Sequence, residues 1–276
     1  MTRIEQYEFD RVGYLVIPNL LSPEAVSQLA MAIDQLEAHA IQNQNLPPRV
    51  MAPWGHDYHH NEERGYHVQS NDRSGGLTLI IEDFFNFDPA FDQLVNEPKT
   101  MAYIQAIFQE RPTINNSELR VRYTGNFSST HNGGPLSAKY RYTFNEKGID
   151  CMMVRIVYFV HDVSPEEGAF CVVPGTHKSH YPSPYGQKPP EEEPGMIPLP
   201  VKAGDAILFT ENLRHGGFAN RSERTRKTLH VGYGPYWMKS QNMATMELDP
   251  YIRPETINRY DEAQRQLFFT RPMPRV

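Results

Sequence analysis

"CMMVRIVYFVHDVSPEEGAFCVVPG", Cys151 to Gly175, decides how the chain is read. Two apolar runs rich in Val, Ile and Phe are separated by a polar connection and closed by Pro174 and Gly175, the pattern of short β-strands divided by turns. In "VRIVYFV" alternation puts Arg155, Val157 and Phe159 on one face. An arginine sharing a strand face with Val and Phe needs an anion close by if that face is buried. Arg155 is therefore a candidate contact to a cosubstrate or acidic substrate; a paired structural arginine or an outward-facing one are the alternatives.

The same texture recurs on both sides of this stretch. "LRVRYTG" (119–125) lies upstream, and "MIPLPVKAGDAILFT" (196–210) and "KTLHVGYG" (227–234) follow. Short strands at such spacing predict an all-β barrel or sandwich over about 118–236. Before it, Tyr14 to Ile17 reads as a strand, and Ser22 with Pro23 as the start of a helix with an apolar stripe Ala25, Val26, Leu29, Ile33 and Leu36. Residues 43–76 show no periodicity and predict a long loop, and Asp83 to Phe108 a helix-rich block. No repeat or linker divides the chain. One domain over 1–276 is expected: an N-terminal helical part to about 117, the β core, and a surface-wrapping extension from about 237.

The 276 residues suffice for a full core, and 39% apolar with 22% charged residues is ordinary for a globular protein. A net charge of −6 argues against nucleic acid as partner, and no apolar run is long enough to span a membrane. The N-terminus lacks the apolar core of a signal peptide, and Cys151 and Cys171 sit in strand-like runs as buried free thiols. A cytoplasmic protein acting on a small molecule is expected, in which the N-x-S triplets at Asn115, Asn126 and Asn220 are chance.

Two histidines are backed by glycine pairs: His131 before Gly133 and Gly134, and His215 before Gly216 and Gly217. Such side chains have free space around them, for a bound metal or merely as parts of two turns. Arg226 lies eleven positions beyond His215 (226 − 215). Imidazole suits Fe(II), and a guanidinium can grip a carboxylate with two parallel hydrogen bonds.

"GAFCVVPGTHKSH" (168–180), followed by "VKAGDAILFTENLRHGGFANRSERTRKTLH" (201–230), resembles the phytanoyl-CoA dioxygenase family, as does "YEFDRVGYLVIPNLLSPEAVSQLAMAID" (7–34) at the N-terminus. The resemblance implies a double-stranded β-helix, jelly-roll or cupin-like, mainly β with N-terminal helices packed on one sheet. It implies Fe(II), 2-oxoglutarate and O2 as cofactors, His131 and His215 as iron ligands, and Arg226 as the residue for the far carboxylate of 2-oxoglutarate. The implied reaction oxidises an unactivated aliphatic C–H bond and releases succinate and CO2.

The chain departs from the family's H-x-D triplet, because Gly133 stands where the aspartate is expected. Three readings are open: an oxygenase in which water or another carboxylate, Glu146 or Asp150, takes that place; a halogenase with chloride bound there, as in the family's halogenating relatives; or a non-catalytic binding protein. Arg122, Lys139 and Arg141 near His131 favour an anionic substrate, and Tyr140 and Tyr142 are candidate pocket residues. His177 and His180 belong to a structural turn under the resemblance. His56, His59, His60 and His67 lack zinc-site spacing and read as a polar lid.

Overall fold

The computed structural model describes residues 1–51, 56–69, 78–133, 142–238 and 251–269. It opens with a helix that the apolar pattern does not disclose, α1 (Arg3–Val12). Its signal is Thr2-x-x-Glu5: the Thr2 side chain accepts from the Glu5 N–H, and the Glu5 side chain accepts from the Thr2 N–H. Gly13, at φ 86°, closes the helix and turns the chain into β1 (Tyr14–Ile17). Helix α2 (Pro23–Asn43) starts at the predicted Ser22 cap and buries Leu29, Ala32, Ile33, Leu36 and Ala40.

The region predicted as a long loop instead contributes three strands, β2 (Arg49–Met51), β3 (Asp57–Asn61) and β4 (Tyr66–Gln69). Many of their buried side chains are His, Tyr and Asn, so no apolar alternation betrays them. Then come β5 (Thr78–Glu82), two 3-10 turns, and α3 (Pro98–Ile107), as the helix-rich reading expects. The remaining strands are β6 (Pro112–Arg122), β7 (Ser128–His131), β8 (Tyr142–Asn145), β9 (Gly148–Cys151) and β10 (Val154–Phe159). They continue with β11 (Phe170–Val173), β12 (Ile197–Pro198), β13 (Ala206–Thr210), β14 (Arg214–Gly217) and β15 (Arg226–Pro235), before two short helices, α4 (Pro254–Ile257) and α5 (Glu262–Arg265).

The strands form a major sheet in the order β1-β13-β10-β15-β6-β5-β4-β3-β2, a minor sheet β12-β11-β14-β7, and the separate hairpin β8-β9. The predicted alternation of β10 is what joins the layers. Val154, Ile156 and Tyr158 pack in a large core with Leu29, Ile33 and Leu36 of α2, whereas Val157 and Phe159 pack in a second core with Phe170 and Val172 of the minor sheet. The fold is thus mainly β with flanking helices, two jelly-roll sheets face to face. Among the described residues these sheets share no strand pairing and do not close into a continuous barrel.

Two further expectations change. The five strands β1–β5 lie within the first 117 residues, so that part is not simply helical. The described C-terminal residues do more than wrap the surface. Tyr260, Leu267 and Phe268 are buried in the large core, and the Ile114 N–H donates to Leu267 O at 2.7 Å. Cys151 and Cys171 are buried free thiols, and among the described residues no helix is long and apolar enough to cross a membrane.

Candidate metal and cosubstrate site

Strands β7 and β14 are neighbours in the minor sheet, and their register sets His131 directly opposite His215. The ring centroids are 4.2 Å apart. Close strand approach depends on Gly216, where a Cβ would stand 2.8 Å from the Ser128 carbonyl oxygen. Each imidazole is oriented by its own strand: Nδ1 of His131 lies 2.7 Å from Ser129 O, and Nδ1 of His215 lies 2.7 Å from Leu213 O. A carbonyl accepts only, so Nδ1 carries the proton and Nε2 keeps its lone pair. Phe209 and Phe170 flank the His215 ring at centroid distances of 4.7 and 5.6 Å. Burial lowers both histidine pKa values, that of His215 well below the ordinary range, with His131 beside it acting in the same direction. Two neutral imidazoles with free Nε2 lone pairs are a donor set that fits a divalent transition metal.

Arg226 opens β15 opposite Arg122 of β6. Both side chains are buried, and among the described residues no carboxylate pairs with either. Arg226 Nη1 donates to Gly168 O, Arg122 Nη1 donates to Asn126 Oδ1 at 2.5 Å, and the buried Nε atoms of both lack a partner. Burial, with Arg120 adding to it, lowers the Arg226 pKa to about 10; burial, Arg226 and Arg120 hold Arg122 well below its usual value. A dense cationic pocket without a counter-ion among the described residues suits a bound carboxylate. It adjoins the histidines through Gly217, two residues after His215, where a Cβ would lie 3.4 Å from Arg226 Nη1.

Arg155 turns the same way from β10 but faces carboxylates of the protein itself. Its Nε donates to Glu211 Oε1 at 2.5 Å and its Nη1 to Glu118 Oε1 at 2.9 Å. Arg120 Nε holds the other Glu118 oxygen at 2.6 Å. Burial alone would raise the Glu118 pKa; Arg120 and Arg155 outweigh it and keep the carboxyl well below its usual range. The alternation that singled out Arg155 places it correctly, and its partners make it a paired arginine rather than a free substrate contact.

Gly133 lies against Glu211, in the connection from β13 to β14. The Gly133 N–H donates to the Glu211 carbonyl oxygen at 2.8 Å. A Cβ at residue 133 would stand 1.6 Å from Glu211 Oε2, 2.6 Å from Cδ and 2.7 Å from Cβ. The sequence reading missed Glu211; its signal was an acidic residue at the end of "AILFT", four positions before His215. Among the described residues no three His, Cys, Asp or Glu side chains already stand together as a metal site. The carboxylates named from the sequence lie elsewhere: Glu146 is exposed at the β8–β9 turn, and Asp150 sits on β9, which pairs only with β8.

The other sequence candidates have structural places. His177 is buried with Nε2 3.0 Å from Asp10 O, as a structural turn requires, and His180 is exposed. Tyr142 donates to Asp10 Oδ1 at 3.1 Å and packs on Phe9 and His177, away from the histidine pair. Lys139, Tyr140 and Arg141 lie outside the described residues. His59, His60 and His67 belong to β3 and β4 of the major sheet and not to a lid, because pairing of these strands with β2 and β5 absorbs their backbone. His67 Nδ1 lies 2.7 Å from Asp83 Oδ2, and the His60 ring stacks on His67 at 4.2 Å. His56 Nδ1 lies 3.1 Å from Gln69 Nε2.

Two facing sheets, with an imidazole pair between them and a buried cationic pocket beside it, define a jelly-roll protein with a candidate metal and anion site. The model of the phytanoyl-CoA dioxygenase family matches residues 9–228, and the chain belongs to that family. A phytanoyl-CoA dioxygenase domain-containing protein 1 homolog from Caenorhabditis briggsae is 22% identical over 265 residues, covering 81% of this chain and 88% of the relative. Among solved structures, HygX from Streptomyces hygroscopicus with nickel and 2-oxoglutarate bound superposes with a TM-score of 0.68 at 20% identity, over 87% of this chain and 89% of HygX. The epimerase SnoN, in complex with Fe3+, alpha ketoglutarate and nogalamycin RO, has a TM-score of 0.58 at 16% identity, over 84% of this chain and 82% of SnoN.

Proposed function

We propose that this protein is an Fe(II)- and 2-oxoglutarate-dependent oxygenase acting on an aliphatic C–H bond of a small molecule. The observation that carries the reading is the His131–His215 pair, with both Nε2 lone pairs free among the described residues, set beside Arg226, a buried cation without a carboxylate partner among them. His131 and His215 would hold the metal through Nε2, and Arg226 would bind the far carboxylate of 2-oxoglutarate. Arg122 deepens the positive potential at that end, so it serves the cosubstrate rather than an anionic primary substrate. Iron with 2-oxoglutarate and O2 supplies oxidative decarboxylation to succinate and CO2, coupled to oxidation of the C–H bond. The carbonyls of Ser129 and Leu213 fix both imidazoles in the ligating tautomer, and Phe170 and Phe209 keep water from the His215 side. Support for a small-molecule substrate comes from the fold neighbours, since HygX was solved with hygromycin B and SnoN with nogalamycin RO. Halogenation is the weaker reading, because a protein carboxylate already lies against Gly133.

The test is 2-oxoglutarate turnover: succinate formation that needs Fe(II) and O2 and disappears in His131→Ala. A folded wild-type protein that neither binds Fe(II) with 2-oxoglutarate nor forms succinate would be a binding protein on the same fold.

A further inference from the structure

We infer that Glu211 supplies the carboxylate ligand that Gly133 cannot, so that the metal is held by His131, His215 and a glutamate drawn from the β13–β14 connection. This rests on the oxygenase reading above and names the third protein ligand of that site.

Three observations lead there. The first is position: Glu211 Oε2 lies 1.6 Å from where a Cβ at residue 133 would be, in the space through which the aspartate of an H-x-D triplet would project. The second is fixation. The Glu211 N–H donates to Met153 O at 3.2 Å, its carbonyl accepts from Gly133 N–H at 2.8 Å, and Arg155 holds Oε1. Arg155 is itself anchored by Glu118, which Arg120 grips in turn, so one oxygen of Glu211 is positioned and Oε2 is left for the metal. Third is mutual exclusion. A Cβ at 133 would stand 2.7 Å from Glu211 Cβ, a contact that swinging the carboxylate away does not relieve. Aspartate at 133 and glutamate at 211 therefore cannot coexist without a backbone shift. Glycine at 133 is then the counterpart of Glu211, not an open seat for a halide. Charge agrees: the carboxylate furnishes the single negative charge that the missing aspartate would have brought.

Anaerobic titration of the full chain with Fe(II) in the presence of 2-oxoglutarate, with and without chloride, tests this through the visible charge-transfer band of the chelate. The wild-type band is expected to be insensitive to chloride. Glu211→Ala should weaken Fe(II) binding at least as much as losing an outer-shell partner does, about 10- to 100-fold. Its band should become chloride-sensitive, which a merely structural role for Glu211 would not produce. The exchange Gly133→Asp/Glu211→Gly removes the collision and should restore binding, whereas Gly133→Asp alone should not; this pair decides the matter if Glu211→Ala does not fold. Unchanged Fe(II) affinity in Glu211→Ala, a wild-type band that shifts with chloride, or a folded exchange variant that binds no better than Gly133→Asp would each overturn the inference while leaving the oxygenase reading intact. A wild-type protein that forms no band with Fe(II) and 2-oxoglutarate would overturn both.

Discussion

Two pairs of histidine rings lie against each other, one in each large sheet, and they are built differently. His60 and His67 stack in the major sheet, with His60 Nε2 3.3 Å from the Tyr251 hydroxyl and His67 Nδ1 2.7 Å from Asp83 Oδ2, while His67 Nε2 is buried without a partner among the described residues. His131 and His215 face each other in the minor sheet, each spending Nδ1 on the carbonyl two residues back along its own strand and keeping Nε2 open. The first pair is held by side chains, a phenol and a buried carboxylate; the second is held by backbone carbonyls, which fix both rings in the tautomer with Nε2 unprotonated. Histidine density in a sequence therefore says little, since the crowded segment is structural and the isolated pair carries the proposed metal site.

Substitutions that split the two groups have the largest expected effects. His215→Ala should abolish the Fe(II)–2-oxoglutarate band, and His67→Ala should leave the band in place while lowering stability. The latter leaves Asp83 buried without its partner and opens a hole, costing about 2–4 kcal/mol by denaturant titration. Arg155→Ala joins both effects, because it strands Glu211 inside the protein and leaves Glu118 with Arg120 as its cationic partner. A loss of about 3–5 kcal/mol, together with weakened Fe(II) binding, is expected. Arg226→Ala should leave stability little changed and raise the 2-oxoglutarate concentration for half-maximal band about 30-fold or more, the scale for truncating one member of a buried charge pair.

The smallest effect is one of pH. Burial pushes His177 down to about 4, despite the favourable carbonyl of Asp10. The unfolded chain takes up that proton near pH 6.5 and the folded one only near pH 4, so the contribution to stability is full above 6.5 and lost as pH falls towards 4. Urea midpoints measured from pH 7 to pH 4.5 should fall less steeply in His177→Gln than in wild type. An identical slope would mean that the His177 environment does not resist protonation.

What the sequence disclosed followed the distance over which its signals act. The alternation of β10, the Ser22 cap and the spacing of His131, His215 and Arg226 are local or motif-borne, and each was legible. β3 and β4 were not, because polar residues fill their buried positions and only pairing with neighbours defines them as strands. Glu211 was missed for a related reason. Its place against Gly133 arises from two connections that lie 78 positions apart (211 − 133), brought together by the pairing of β7 with β14. Gly133 was recognised as a departure, yet the residue that lies against it is one that no local pattern connects to it.

The imidazole pair of the minor sheet, and not the histidine-rich edge of the major sheet, is the proposed metal centre. The most direct measurement is the anaerobic visible difference spectrum of the protein with Fe(II) and 2-oxoglutarate, in wild type, His215→Ala and His67→Ala side by side. A charge-transfer band is expected in wild type and His67→Ala and none in His215→Ala. A band that survives in His215→Ala, or one that vanishes in a folded His67→Ala, would contradict that assignment.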